Sequence, residues 1–209
     1  MGHSGSTTEP SATVRPFPSK RQNWTNDQIV SGIIQNSSVA GQALFEKYHA
    51  RISARVRRLM GPDSEWEDLI QQIFLTLIKA IHNVREPELL DRWIDRITVN
   101  AVRKEFRRRR RRWYLTYVSE LPETEADPAS DSSQLFRRTS RVLEGLPADE
   151  RIAFVLRFVM EEELAPISRM CGWSLSTTKR RISRARDNFL KRAARDPMLY
   201  PMMEGFQDE

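Results

Sequence analysis

Two stretches of this chain combine residue type and spacing in a way that fits one chemistry, the binding of a polyanion. From Arg103 to Arg112 eight of ten residues are basic and one is acidic. This run continues a stripe of Trp93, Ile94 and Ile97, with Asn100 between stripe and charge, so it is the solvated end of a helix whose other end is core. Phosphates attract such a run, and the counterions they release make the binding salt-sensitive. The second stretch opens with Leu164, Ile167 and Cys171, turns at Gly172-Trp173-Ser174, and enters a long basic helix. A short apolar helix, a glycine turn and a capped second helix make a helix-turn-helix pattern. Polar and basic residues in the first turns of such a second helix read base edges in the major groove, and later arginines hold phosphates. A third cluster, Asp63, Glu65, Glu67, Asp68 and Gln71, opens a strongly amphipathic segment. Acids favour a helix N-terminus on electrostatic grounds alone, and the same polar face suits a basic helical partner.

No catalytic arrangement competes with this reading. His3, His49 and His82 have no metal-ligand spacing. Cys171 lies on an apolar face and is expected in the core, and no glycine loop of the phosphate-cradling kind is present. The expectation is a protein without catalytic activity, metal or cofactor.

The elements that must position these residues are all helical. A first helix is expected from Asn26 to Gln35, with Asn26 as its cap, and a longer one from Val39 to Leu59, closed by Gly61-Pro62. Ser64 with Glu67 forms a capping box for the next helix, whose stripe is Trp66, Leu69/Ile70, Ile73/Phe74, Leu77/Ile78 and Ile81. After Pro87 a helix runs from Leu89 through Arg112. Residues 113–134 hold Pro122, Pro128 and five acids between Ser119 and Asp131 with no base, and read as a linker. Its 22 residues span at most about 70 Å at ~3.3 Å per residue. A second domain follows: a helix with Phe136, Val142 and Leu143, one from Asp149 with Ile152, Val155, Leu156 and Val159 on one face, then the helix-turn-helix. Its second helix carries the inward stripe Leu175, Thr178, Ile182, Ala185 and Phe189 to about Ala193.

The composition agrees. The chain has 209 residues and a net charge of +6. Its two basic blocks flank an acidic spacer, and from Arg169 to Arg195 nine bases face Asp187 alone. No apolar run approaches the ~20 residues of a spanning helix, Met1 to Lys20 lacks the apolar core of a secretory signal, and one cysteine allows no disulfide framework. A cytoplasmic protein with no membrane insertion is expected.

In combination these residues resemble the sigma-70 superfamily, and within it the two-domain extracytoplasmic-function sigma factors. Asp63 to Ala80 is similar to region 2.2, which binds the clamp helices of the polymerase β′ subunit. The resemblance implies a core polymerase-binding role for Asp68, Leu69, Gln71, Gln72 and Phe74. Trp93 to Arg112 is similar to regions 2.3 and 2.4, which melt and read the −10 element, implying Arg96, Asn100, Arg103, Lys104, Arg107 and Arg108 as its DNA-binding residues. Leu146 through Arg186 is similar to region 4, implying Ser176, Thr177, Lys179, Arg180, Arg181 and Arg184 as the reader of the −35 element. The chain departs from the family pattern at Met160 to Pro166 and at Ser174 to Thr178, which bears on the −35 sequence rather than on the mode of binding.

The resemblance therefore implies an all-α protein of two small helical domains joined by a flexible acidic linker. Residues 1–22 form a disordered tail, 23–112 the region 2 domain, 113–134 the linker, 135–195 the region 4 helix-turn-helix domain and 196–209 a C-terminal tail. The implied partners are RNA polymerase core (β′ clamp helices and β flap), promoter DNA and an anti-sigma factor, with no cofactor. The alternative is a polymerase-independent helix-turn-helix regulator, which explains the C-terminal domain and gives no reason for the first four helices.

Overall fold

A computed structural model describes residues 23–61, 66–116 and 131–201. The helix α1 covers Asn26–Ile34, α2 Ser38–Met60, α3 Trp66–Ala80 and α4 Leu90–Thr116, with 3₁₀ turns at Ile81–Asn83 and Pro87–Leu89. After residues 117–130 come α5 (Asp131–Glu144), α6 (Ala148–Phe154), a π-helical turn (Val155–Val159), α7 (Leu164–Cys171) and α8 (Leu175–Ala193). Among the described residues there is no strand.

The first four helices bury one apolar stripe each. α2 packs on α1, α3 and α4, and Leu44, Ile52, Ile73, Leu77, Leu90 and Ile94 are fully buried where they meet. Each such side chain contributes on the order of 1.5–3 kcal/mol. The cap of α1 is Thr25, not Asn26: the Thr25 hydroxyl accepts from Gln28 N, and Gln28 Oε1 accepts from Thr25 N at 2.9 Å. Asn26 is drawn elsewhere, its Oδ1 accepting from Lys47 Nζ at 2.7 Å and Tyr48 Oη at 2.9 Å. Gly61 closes α2 at φ +86°, a conformation that L side chains rarely adopt. The Ser64 cap expected for α3 lies outside the described residues.

α4 runs four residues past the arginines to Thr116. Arginine is a good helix former, and Glu105 offsets the crowding of like charge by accepting from Arg108 Nε at 2.7 Å and Arg109 Nε at 2.9 Å. Those hydrogen bonds hold the Glu105 carboxyl below its ordinary range although burial pushes it up. After residues 117–130, α5 starts at Asp131, four residues before the expected Leu135. The expected N-terminal tail and the central acidic span fall outside the described residues.

The second unit packs α5, α6 and α7 around α8, with Ile152, Leu156, Ile167 and Ala185 fully buried and Phe154 stacked on Phe189 at 4.3 Å between centroids. The sequence stripe fails at Val159, which is 52% exposed. The π-helical turn is the reason: Met160 N bonds to Val155 O rather than Leu156 O, and the extra residue rotates Val159 off the core face. Glu161 follows at φ +55° and lets the chain enter α7. Leu175, expected inward, is 53% exposed in the first turn of α8, and Phe136 of α5 is likewise exposed. Beyond α8, Leu199 tucks into the core and Arg138 Nη1 pairs with Asp196 at 3.0 Å.

The two units touch. α6 and α7 lie on α4, and the π-helical turn lies on α2. Arg151 reaches from α6 to donate to the carbonyl of Met60 at 2.8 Å, with its guanidinium 4.1 Å from the Phe106 ring centroid. Burial pushes this guanidinium down to about 10. Arg55 pairs with Asp95 on its own side and with Glu162 of the second unit at 3.3 Å.

Candidate nucleic-acid interface

α8 presents its expected readers as a group. Ser174 caps the helix, its hydroxyl accepting from Thr177 N at 3.2 Å. Gly172 supplies the left-handed turn before it at φ +66°. Thr178 is the residue that turns inward, fully buried and donating to Ser174 O at 2.9 Å. Ser176, Lys179, Arg180 and Arg184 are exposed and Thr177 is half-buried. Leu175 adds an exposed apolar side chain beside them, of the kind that meets a thymine methyl. Arg181 differs, because its Nη1 is 2.9 Å from Asp149 Oδ2 and its guanidinium is 4.1 Å from the Trp173 centroid.

On α4 the expected set divides. Arg96, Asn100, Lys104, Arg107 and Arg108 are exposed. Arg103 is largely covered by the second unit: its Nε is 3.0 Å from Asp149 Oδ1, its Nη2 donates to Cys171 O at 3.1 Å, and it lies 4.9 Å from the Trp173 centroid. Its Nη1 also donates to Asn100 Oδ1 at 3.0 Å. Arg107 Nη2 reaches the same Asp149 Oδ1 at 3.5 Å, and a Cβ on Gly172 would stand 3.5 Å from Arg96 Nη2. α4 and α8 thus converge on one carboxylate and one indole. In the sequence Asp149 reads only as a helix-start acid and Trp173 only as a turn residue.

On α3, Asp68, Gln71 and Gln72 are exposed, whereas Leu69 and Phe74 are turned inward and buried. Phe74 still lines a groove of about 540 Å³ with Phe45, Trp66, Ile70, Leu75 and Ile78. Phe45, Leu75 and Ile78 are between 42% and 50% exposed, an apolar concentration on an otherwise charged chain. Helical spacing shows that these residues share a stripe; that the stripe is wider than the core it covers is visible only in the packing.

Cys171 is buried, and burial pushes its thiol up to about 12, so it sits as an unreactive core residue. Among the described residues no group of His, Cys, Asp and Glu is arranged to hold a metal, and no helix is long and apolar enough to cross a membrane.

Comparison with known proteins places the two halves of this geometry. Residues 44–112 match sigma-70 region 2, and residues 136–188 match sigma-70 region 4. Similar curated proteins include the ECF RNA polymerase sigma factor EcfG of Rhodopseudomonas palustris, 27% identical over 61% of this chain and 71% of that protein. The ECF RNA polymerase sigma factor SigM of Mycobacterium tuberculosis is 23% identical over 79% and 83%. Among solved structures, CnrH in complex with the cytosolic domain of CnrY covers 80% of this chain and 96% of its own, at 17% identity and a TM-score of 0.54. The sigma factor RpoE in complex with the anti-sigma factor NepR from Bartonella quintana covers 74% and 97%, at 21% and 0.53.

Proposed function

The chain belongs to the sigma-70 family, in its extracytoplasmic-function group, and functions as an RNA polymerase sigma factor; from that premise we propose how its residues divide the work. The exposed face of α3, with Asp68, Gln71 and Gln72 beside the apolar groove of Phe45, Phe74, Leu75 and Ile78, takes the clamp helices of the β′ subunit. α4 meets the −10 element with Arg96, Asn100, Arg103 and Lys104, while Arg107 and Arg108 hold phosphates. α8 reads the −35 element with Ser176, Thr177, Lys179, Arg180, Arg181 and Arg184. The second unit also meets the β flap. The protein acts without catalytic groups of its own, as a specificity subunit.

One observation supports this division: regions 2 and 4 each present a basic helix, and among the described residues α3 keeps an open apolar groove. An apolar groove suits a protein partner rather than a polyanion. An anti-sigma factor is the further partner proposed, supported by two solved neighbours of the same fold that are complexes, one of them with a protein described as an anti-sigma factor.

The test is run-off transcription with core polymerase on a pool of random promoters, together with capture of core by the full chain. Leu75→Glu is expected to abolish capture and transcripts with binding to −35 DNA retained. Arg180→Ala is expected to do the reverse, weakening −35 DNA with capture retained. DNA binding without capture of core by the unaltered chain refutes the proposal and returns a polymerase-independent regulator.

A further inference from the structure

The exposed polar face of α4 does not end at Arg96. Successive residues of a helix turn by about 100°, so Arg92, Arg96, Asn100 and Lys104 share one arc of about 120° on the outer side of α4. All four are exposed. Arg92 lies outside the arginine run, between Asp91 and, three residues on, Asp95. A carboxylate three residues away is placed to pair with an arginine of its own helix. That pairing is not made: among the described residues Arg92 has no ion pair and no hydrogen bond. Both acids are taken by α2 instead. Arg51 Nη1 donates to Asp91 Oδ1 at 3.0 Å, and its Nη2 donates to Asp95 Oδ2 at 2.6 Å. Arg55, one turn further along α2, pairs with the other oxygen of Asp95. The Arg55 and Asp95 side chains are only 12% and 13% exposed, so salt screens this end of the ladder little.

Resting on the −10 role proposed above for α4, we propose that Arg92 is a further phosphate-holding residue of that face, and that Arg51 is a positioning residue that works by withdrawing Asp91 and Asp95 from the DNA. Two guanidinium groups on α2 meet two carboxylates on α4, so the acids are neutralised on the inner side of the helix and the outer arc keeps its positive charge. Without Arg51 the half-exposed Asp91 carboxylate stands uncompensated beside Arg92, where it offers that arginine an internal partner and repels a phosphate. Arg92 lengthens the face by one helical turn, about 6 Å, which takes one or two more phosphates of a strand at ~3.4 Å of rise each. Its contribution is charge rather than base reading, so it acts on affinity and salt dependence more than on sequence. Arg55 also meets Glu162 of the second unit, whereas the acids paired with Arg51 are Asp91 and Asp95, both on α4. Arg51 is therefore the position at which the idea is tested.

The experiment uses the holoenzyme, core polymerase loaded with the full chain, on a promoter fragment recovered from the run-off pool. Affinity is measured at several salt concentrations, for the fragment and for a copy with its −10 element scrambled. Equal binding of the two by the unaltered chain refutes the −10 role of α4 itself, and this proposal with it. Where the intact element is preferred, Arg92→Ala is expected to weaken binding about three- to tenfold and to lower the salt slope by about 0.7–0.9. An unchanged affinity and slope overturn the phosphate contact and leave the −10 role standing. Arg51→Gln is expected to weaken binding several-fold, Arg51→Lys to retain it, and Asp91→Asn to tighten it about twofold. The opposite signs are decisive, because a pair that served only the packing of α4 would weaken binding alike whichever partner was removed. Weakening by both Arg51→Gln and Asp91→Asn, or by neither, overturns the positioning role.

Discussion

Arg151 offers the sharpest energetic test, because it is a charge carried from one unit into the other and buried there. Its guanidinium donates to Met60 O at 2.8 Å and lies over Phe106. A hydrogen bond from a charged donor contributes about 2 kcal/mol net, and a desolvated cation–π contact adds roughly 2 kcal/mol. Against this, burial pushes its pKa down to about 10. At 1.36 kcal/mol per unit this puts the cost of holding the charge there at roughly 3 kcal/mol. The charge therefore comes close to offsetting itself, and what remains is the packed stem. Arg151→Met keeps most of that volume and leaves the Met60 carbonyl without its donor, a loss of about 1–2 kcal/mol. Arg151→Ala adds a cavity and should cost about 3–4 kcal/mol. With a urea slope near 2 kcal/mol per molar, the two midpoints should differ by roughly 1 M. Urea unfolding followed by tryptophan fluorescence measures this directly. If Arg151→Met falls as far as Arg151→Ala, the charge itself is the main stabiliser and its burial costs well under ~3 kcal/mol.

Three further outcomes follow from the same geometry. Glu105 has a folded pKa below its unfolded value near 4.5, so its contribution is present above that value and is lost as pH falls through the folded pKa; Glu105→Gln should flatten thermal stability measured below pH 5. If Arg107 and Arg108 hold phosphates, replacing both by Ala should reduce the salt slope of DNA binding by about 0.9 per lost contact, read by titration at several salt concentrations; an unchanged slope places them off the DNA. Because Asp149 pairs with Arg103 and Arg107 on α4 and with Arg181 on α8, the affinity gain of Asp149→Asn should be larger for single-stranded −10 DNA than for a −35 duplex, and equal gains refute the unequal pairing of the two helices.

The helix-turn-helix was legible because every signal in it is local: Gly172, the Ser174 cap and the 3-4-3-4 stripe all act within one turn of their own position. Helix ends were less so. Asn26 and Thr25 are both good caps, and the choice between them is made by Lys47 and Tyr48, more than twenty residues away. The π-helical turn has no signature in Val155–Val159, since its apolar residues fit an ordinary helix equally well. The site was legible where it consists of basic runs and obscure where it consists of single residues. Asp149 reads as a helix-start acid and Trp173 as a turn residue, and each meets Arg103 only because α4 is brought against them. Leu69 and Phe74 show the converse, since residues within one matched motif divide between surface and core by their angle on α3.

A chain with a net charge of +6 and two basic helices must keep those helices from repelling each other when no DNA is present. The structure does this by placing carboxylates where the units meet, Asp149 between α4 and α8 and Glu162 against Arg55, and leaving the outer faces of Lys104, Arg180 and Arg184 exposed. Salt weakens both the internal ion pairs and contacts to phosphate, so raising it loosens the contact between the units and any DNA contact together. The carboxylates that meet Arg55, Arg103 and Arg181 therefore offset the like charge of the basic helices where the two units touch.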